Sequence, residues 1–279
     1  MAIITFCSNE TKETGQTMSL AATAAYMAIE HNYKILVIST DFNDLSLENC
    51  FWEYDKIRKA STIKKDEKVG IESGIEGLIK ALISNRTNNE IIRNYSRIVL
   101  KDRLDILLAP TTKVYQEYIQ IAESYTDILQ TAKRYYDLIF VDLSKKMPRK
   151  VAAEILKLSD ILVINMTQRL KTINDFMELR ETNDFYQRKN VMLLMGRYDK
   201  NSKYNIKNVT RYLKEKKMIS VVPYNTLYLE AASEGGIIEF MLKAKNVTDE
   251  LDSNNIFIKE LKKLDENIIF KLQELQMKT

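Results

Sequence analysis

The sequence predicts an α/β fold with a doubly wound, mainly parallel sheet and helices on both faces, in a single domain that spans residues 1–279. Short, continuous apolar runs alternate with helical patterns along the whole chain, which is typical of parallel strands covered on both faces. No stretch rich in Pro, Gly or Ser divides the chain, and no internal repeat is present. The hydrophobic content of 45% and the charged content of 29% are typical of a globular protein.

The predicted strands are apolar runs that each end in polar residues. In chain order they cover residues 3–8, 34–39, 104–110, 137–142, 160–165, 191–195 and 218–223. Helical spacing of apolar residues predicts helices over 21–28, 74–83 and 90–95, and one long helix through Ile119 and Leu129. Ligands of such sheets bind at the carboxyl ends of the strands, so the polar residues there are the candidate site residues.

Composition argues against several classes of function. The net charge of +4 is too small to indicate nucleic-acid binding without a local basic patch. Cys7 and Cys50 have no metal or redox spacing, and His31 is the only histidine, which argues against a His-based catalytic or metal site. No apolar run approaches the roughly 18 residues of a membrane helix and no signal peptide opens the chain, so we expect a cytoplasmic protein.

The first predicted strand leads into a polar loop over residues 9–14, then Gly15, Gln16 and Thr17 and a helix rich in alanine. A strand, a loop ending in Gly-X-Thr and a helix form the frame of the phosphate-binding P-loop, G-x-x-x-x-G-K-[ST]. Only Gly15 and Thr17 match that motif, since Glu10 takes the first glycine position and Gln16 the lysine position. Taken alone, this stretch also fits an ordinary turn between a strand and a helix.

Asp142 ends the strongest strand signal, which we count as the fourth strand. An Asp at the end of an apolar strand is typical of a Walker B carboxylate that holds Mg²⁺, although it is also common as a helix N-cap. Its position in the chain after Gly15-Gln16-Thr17 favours a nucleotide site or the relic of one. The candidate magnesium ligands are Thr17, Asp41 and Asp142.

The order of these elements resembles the ParA/MinD family of P-loop ATPases, of the SIMIBI class, over nearly the whole chain. The segments that carry the resemblance are residues 38–41, 74–79, 104–109, 136–143, 159–164, 222–225 and 230–235. The resemblance implies a P-loop NTPase-like, three-layer fold and a site for ATP and Mg²⁺. The nucleotide-binding residues that it implies are Asn9, Glu10, Thr11, Lys12, Glu13, Thr14, Gly15, Gln16, Thr17, Met18, Arg197, Pro223, Tyr224 and Asn225.

The loop departs from the family pattern Lys-Gly-Gly-X-Gly-Lys-[ST]. The first lysine position falls on Thr11, Lys12 and Glu13 replace the paired glycines, and Gln16 replaces the second lysine. A charged hydrogen bond contributes roughly 1.5–3 kcal/mol, so losing one lysine–phosphate contact lowers affinity about 10–100-fold. We therefore expect a weak or vestigial ATP site, in which Lys12 and Asp41 are the only candidate catalytic residues.

Two functions compete. Degenerate loops of this kind resemble the CpaE/TadZ branch of the family, which implies a homodimeric protein that positions pilus-assembly or secretion machinery through protein partners. The alternative is an active ParA-type ATPase switch that partitions DNA or another cargo, with Lys12 standing in for the signature lysine. The tail from Asn255 to Met277 has the apolar stripe of an amphipathic helix, which favours packing on the sheet over membrane contact.

Overall fold

The computed structural model describes residues 1–10, 14–53, 74–84, 88, 90–188, 190–215 and 218–277. These residues form an eight-stranded sheet in the order β3-β4-β2-β5-β1-β6-β7-β8, in which all neighbours are parallel except β3 and β4. The fold class predicted from the sequence is therefore confirmed. The strands are β1 Ala2–Ser8, β2 Ile35–Ser39, β3 Arg97–Leu100, β4 Leu104–Leu107, β5 Leu138–Asp142, β6 Ile161–Met166, β7 Val191–Tyr198 and β8 Ile219–Pro223.

The helices lie between the strands and after the last of them. They are α1 Gln16–Glu30, α2 Ser46–Asn49, α3 Ile75–Ile83, α4 Ile91–Tyr95, α5 Tyr115–Ala122, α6 Tyr125–Ala132, α7 Arg149–Leu158, α8 Leu170–Thr182, α9 Ile206–Tyr212, α10 Thr226–Glu234, α11 Ile237–Ala244 and α12 Ser253–Gln276. None of the helices in the described part of the chain combines the length and the apolar character that a membrane span requires.

β1 lies at the centre of the sheet, between β5 and β6. Ile3, Ile4 and Phe6 are fully buried because both faces of this strand are covered. The register places Phe6 beside Asp142 of β5. Because neighbouring parallel strands end at the same edge, the segment that follows β1 emerges next to the carboxylate of Asp142.

The long helix predicted through Ile119 and Leu129 is two helices, α5 and α6. Tyr118 and Tyr125 are both fully buried, and their hydroxyls donate to the carbonyls of Thr40 (2.6 Å) and Ser39 (2.9 Å). In one continuous helix these tyrosines would be separated by about 10 Å along the axis, whereas consecutive strand residues lie only about 3.3 Å apart. The chain therefore breaks between α5 and α6 so that both hydroxyls find acceptors.

Strand β3 was missed by the sequence analysis. It is a four-residue edge strand, pairs antiparallel with β4, and shows only partial burial, so it lacks the continuous apolar character of the central strands. Asp142 consequently ends the fifth strand of the sheet and not the fourth.

Helix α12 packs its apolar stripe against β8 and α1. Phe257, Leu261, Leu264 and Ile268 are buried in the same core as the α1 alanines. This is the arrangement that packing on the sheet requires. Lys259, Lys262 and Lys263 lie on the exposed side of the helix, whereas Asn255 and Asp265 are buried.

We predict that Leu264→Ala lowers the free energy of unfolding by about 2–5 kcal/mol, because it opens a cavity at a fully buried position. Phe270→Ala is the control on the same helix, since its side chain is 67% exposed, and we expect a change within about 0.5 kcal/mol. Urea denaturation measures both. Equal small effects would show that α12 does not belong to the core.

Candidate functional site

Gly15 makes the turn between the loop and α1. Its φ of +72° lies in the left-handed region, and a Cβ at this position would lie 2.9 Å from Cγ of Arg197. The preceding residue, Thr14, is packed as closely. Its carbonyl oxygen accepts a hydrogen bond from Nδ2 of Asn165 in β6 at 2.6 Å. A Cβ at Gly196 of β7 would lie 2.8 Å from the same carbonyl oxygen. Glycine at positions 15 and 196 therefore lets the end of the loop rest on β6 and β7.

The carboxylate of Asp142 is the centre of the site. Its Oδ1 accepts a hydrogen bond from Nε2 of Gln16 and its Oδ2 accepts one from the hydroxyl of Thr17, both at 2.6 Å. Nε2 of Gln16 also lies 3.2 Å from the carbonyl oxygen of Phe6 and 3.1 Å from that of Leu143. The first turn of α1 is thereby bound to the end of β5, and the side-chain amide of Gln16 is fully engaged.

The pKa of Asp142 is raised to about 6, mainly by burial and in smaller part by the nearby carboxylates of Asp41 and Asp44. The hydrogen bonds from Thr17 and Gln16 act in the opposite direction because they stabilise the charged form. A lysine at position 16 would add a full positive charge beside this carboxylate. The amide of Gln16 supplies only a dipole, so the negative charge of Asp142 stays uncompensated by an ion pair with residue 16.

A cleft of about 660 Å³ opens over this cluster, within the size range of small-molecule sites. The predicted site residues that line it are Glu10, Thr14, Gly15, Gln16, Thr17, Met18, Asp41, Asp142 and Arg197. Thr11, Lys12 and Glu13 lie outside the described residues. The structure therefore brings together the end of β1, the start of α1 and the ends of β2, β5 and β7.

A small second cavity adjoins the cleft beside Gly15. Its lining includes the predicted residues Met18, Arg197, Pro223, Tyr224 and Asn225. Asn225 caps α10 by accepting from the backbone N–H of Tyr228 at 2.8 Å, and it donates to Oδ1 of Asn254 at 2.9 Å. The loop after β8 is thereby fixed to the start of α12.

Asn9 and Glu10 both make contacts with α8. Nδ2 of Asn9 donates to the carbonyl of Thr172 at 3.1 Å, and Asn9 does not line the cleft. The carboxylate of Glu10 accepts from the hydroxyls of Thr167, at 2.9 Å, and Thr172. The negative charge of Glu10 is therefore held at one side of the cleft by two hydroxyl groups.

Asp41 lines the cleft but takes part in a different interaction from Asp142. Its Oδ1 forms an ion pair with Nζ of Lys146 at 2.9 Å and accepts from the backbone N–H of Phe42 at 2.7 Å.

Thr17 and Asp142, in contrast, are in direct contact with each other. Hydroxyl and carboxylate oxygens are the ligands that Mg²⁺ prefers, so Thr17 and Asp142 fit a magnesium ion. Among the described residues, no group of three or more His, Cys, Asp or Glu is arranged to hold a metal.

Sequence reasoning missed three side chains of this region. Lys145 and Lys146 lie in the loop after β5 and line the cleft; two consecutive lysines three residues after a strand-end Asp were the available signal. Glu48 of α2 is completely buried, and its Oε1 accepts from the backbone N–H of Ala109 at 2.7 Å. Burial raises the pKa of Glu48 to about 7. Nothing in the sequence marked Glu48, since a glutamate in a short helix is usually exposed.

We predict that Glu48 makes the protein less stable as the pH rises from about 5 to about 8. Its folded-state pKa is raised from 4.5 to about 7, so the folded state holds the proton longer and the stabilisation present at low pH is lost through that window. Between these pH values wild type should lose about 2–3 kcal/mol more of its free energy of unfolding than Glu48→Gln. Urea denaturation at both pH values measures the difference, and Glu123→Gln controls for the change in net charge. Parallel pH profiles for wild type and Glu48→Gln would contradict the prediction.

The strand–loop–helix around Gly15, with a carboxylate at the end of the neighbouring strand facing Thr17, defines a P-loop NTPase-like fold. No protein-family model and no curated protein matches the sequence. Solved structures do match. A ParA family ATPase from Chlorobium tepidum superposes with a TM-score of 0.66 at 18% identity, covering 93% of this chain and 95% of that one.

Two nucleotide complexes are also similar. The septum site-determining protein MinD from Pyrococcus horikoshii, complexed with Mg-ADP, has a TM-score of 0.61 at 15% identity and covers 97% of this chain and 98% of its own. A plasmid partition protein from Borrelia burgdorferi bound to AMPPNP has a TM-score of 0.57 at 19% identity, covering 99% and 98%. The chain thus has the fold of ParA and MinD ATPases over nearly its whole length.

Proposed function

We propose that this chain is a ParA/MinD-like positioning or assembly protein whose ATP site is degenerate and binds nucleotide weakly. One observation carries the proposal: at the lysine position of the P-loop, Gln16 is hydrogen-bonded to Asp142 at 2.6 Å and carries no charge. The fold supports the nucleotide part, since structures of this fold hold Mg-ADP and AMPPNP.

The remaining features of the site support anion binding. The start of α1 presents backbone N–H groups and the positive end of the helix dipole, which favour a phosphate without any side-chain charge. Thr17 and Asp142 would hold Mg²⁺, and that ion supplies charge neutralisation for the phosphates when bound. Gln16 provides a hydrogen-bond donor but no charge where negative charge develops during phosphoryl transfer, so hydrolysis is slow.

The proposed partners rest on the resemblance to the ParA/MinD family. We propose a cytoplasmic homodimer whose interface includes the cleft face, and protein partners in pilus-assembly or secretion machinery, as in the CpaE/TadZ branch. Tyr224 and Leu229 support a protein interface because they place exposed aromatic and apolar side chains at the cleft and the cavity that adjoins it.

The second candidate function is an active ATPase switch of the ParA type that partitions DNA or another cargo. The direct contact between Thr17 and Asp142 favours it, because the two magnesium-binding positions of a P-loop site are both retained. Lys12 would then take the place of the signature lysine.

Titration with ATP, with and without Mg²⁺, tests the proposed function. We expect weak binding, turnover near background and little change on Lys12→Ala. Gln16→Lys restores the missing ammonium and should tighten binding about 10–100-fold. Thr17→Ala should remove the dependence on Mg²⁺. Strong Mg²⁺-dependent hydrolysis that Lys12→Ala abolishes would instead establish the ATPase switch.

Sedimentation analysis tests the dimer. We expect a concentration-dependent dimer that Leu229→Glu disrupts, because the substitution places a charge in an apolar interface. Leu242→Glu is the control: Leu242 is 47% exposed against 38% for Leu229, and unlike Leu229 it does not line the cleft. A monomer at high concentration, with and without nucleotide, would refute the homodimer.

A further inference from the structure

The loop that follows β5 is held in place on both sides of Lys145. On one side, the hydroxyl of Thr40 donates to the carbonyl of Asp142 at 2.9 Å and accepts the backbone N–H of Ser144 at 2.8 Å. On the other side, Met147 is buried in the core, and its backbone N–H donates to the carbonyl of Ser144 at 3.2 Å. Lys145 therefore stands on a fixed tight turn at the edge of the cleft.

Gln16, at the lysine position of the P-loop, cannot neutralise the negative charge of a phosphate. Nε2 of Gln16 has only two hydrogens, and the carboxylate of Asp142 and two backbone carbonyls already lie within 3.2 Å of it. An anionic ligand in this cleft therefore draws its positive charge from another part of the lining.

Three cationic side chains among the described residues line the cleft: Lys145, Lys146 and Arg197. Lys146 is paired with Asp41 at 2.9 Å. Arg197 packs its Cγ over Gly15 and also lines the small cavity next to Pro223. Lys145 forms no ion pair with the part of the chain that the structure describes, and it follows Asp142 by three residues.

Lys145 interacts electrostatically with groups of β1 and of the loop that follows it. Partial dehydration at the edge of the cleft lowers the pKa of Lys145, while Cys7 and Glu10 act in the opposite direction. Cys7 belongs to the last part of β1, and Glu10 lies at the start of the loop and lines the cleft. Lys145 therefore shares the cleft with residues that lead into α1.

We propose that Lys145 binds the phosphate groups of the ligand and supplies the positive charge that Gln16 lacks. The ligand class is a phosphate or pyrophosphate anion, free or as part of a nucleotide; its identification as an adenine nucleotide rests on the proposed function. The positive charge would then come from the loop after β5 instead of from α1, since both elements line the cleft.

Calorimetric titration with inorganic pyrophosphate and with ADP, both with Mg²⁺, tests the proposal. We expect Lys145→Ala to weaken binding of both ligands by about 10-fold or more, since one charged contact with the phosphates is lost. The factor should be the same for both ligands because Lys145 does not contact the base. Lys150→Ala removes an exposed lysine of α7 that does not line the cleft, and it should bind both ligands as wild type does.

Variants that restore a positive charge distinguish the loss of charge from a change in local structure. Lys145→Arg should retain most of the affinity, and Gln16→Lys combined with Lys145→Ala should restore it, because the ammonium returns to the same region from α1. Thermal melting of Lys145→Ala and Lys145→Arg should match wild type, since Lys145 is exposed.

The outcomes distinguish this proposal from the proposed function. If wild type and Lys145→Ala bind ADP and pyrophosphate equally, the role of Lys145 is refuted while nucleotide binding stands. If wild type binds pyrophosphate through Lys145 but binds no adenine nucleotide, the role of Lys145 is supported and the proposed ATP site is refuted. If wild type binds neither ligand, both proposals fail.

Discussion

The site is organised around one buried carboxylate. Asp142 lies in the middle of the sheet, and burying a charge there costs several kcal/mol unless hydrogen bonds compensate for the lost water. Gln16 and Thr17 provide that compensation at 2.6 Å each, and both come from the first turn of α1. The contacts that make Asp142 tolerable in the core therefore also fix the start of α1, and with it the region that a phosphate would approach.

Glutamine at position 16 differs from lysine more in charge than in geometry. Its amide donates to Asp142, so the first turn of α1 is bound to β5. The amide carries no positive charge, and the pKa of Asp142 is raised to about 6 mainly by burial. An anion in this cleft would therefore depend on the helix N-terminus and on cations from other elements, such as Lys145.

Much of the fold and part of the site were predictable because they depend on strand order. Buried parallel strands are recognisable in the sequence as apolar runs. Their order places Thr17 and Asp142 at the same edge of the sheet. The break between α5 and α6 was not predictable, because it depends on which carbonyls accept from Tyr118 and Tyr125. The position of Lys145 was also hidden, since it depends on the turn that Thr40 and Met147 hold after β5.

The two walls of the cleft differ in how firmly they are held. On the Asp142 side, the carboxylate is buried, and breaking either of its hydrogen bonds would leave one carboxylate oxygen without the donor at 2.6 Å. On the Asp41 side, the ion pair with Lys146 joins side chains that are 31% and 51% exposed, and such pairs contribute only about 0–1 kcal/mol. An anion that pairs with Lys146 therefore breaks a weak ion pair, but it leaves the carboxylate of Asp41 unpaired in the same cleft. Lys145 carries no such cost, so positive charge for an anion comes more readily from Lys145 than from Lys146 or from position 16.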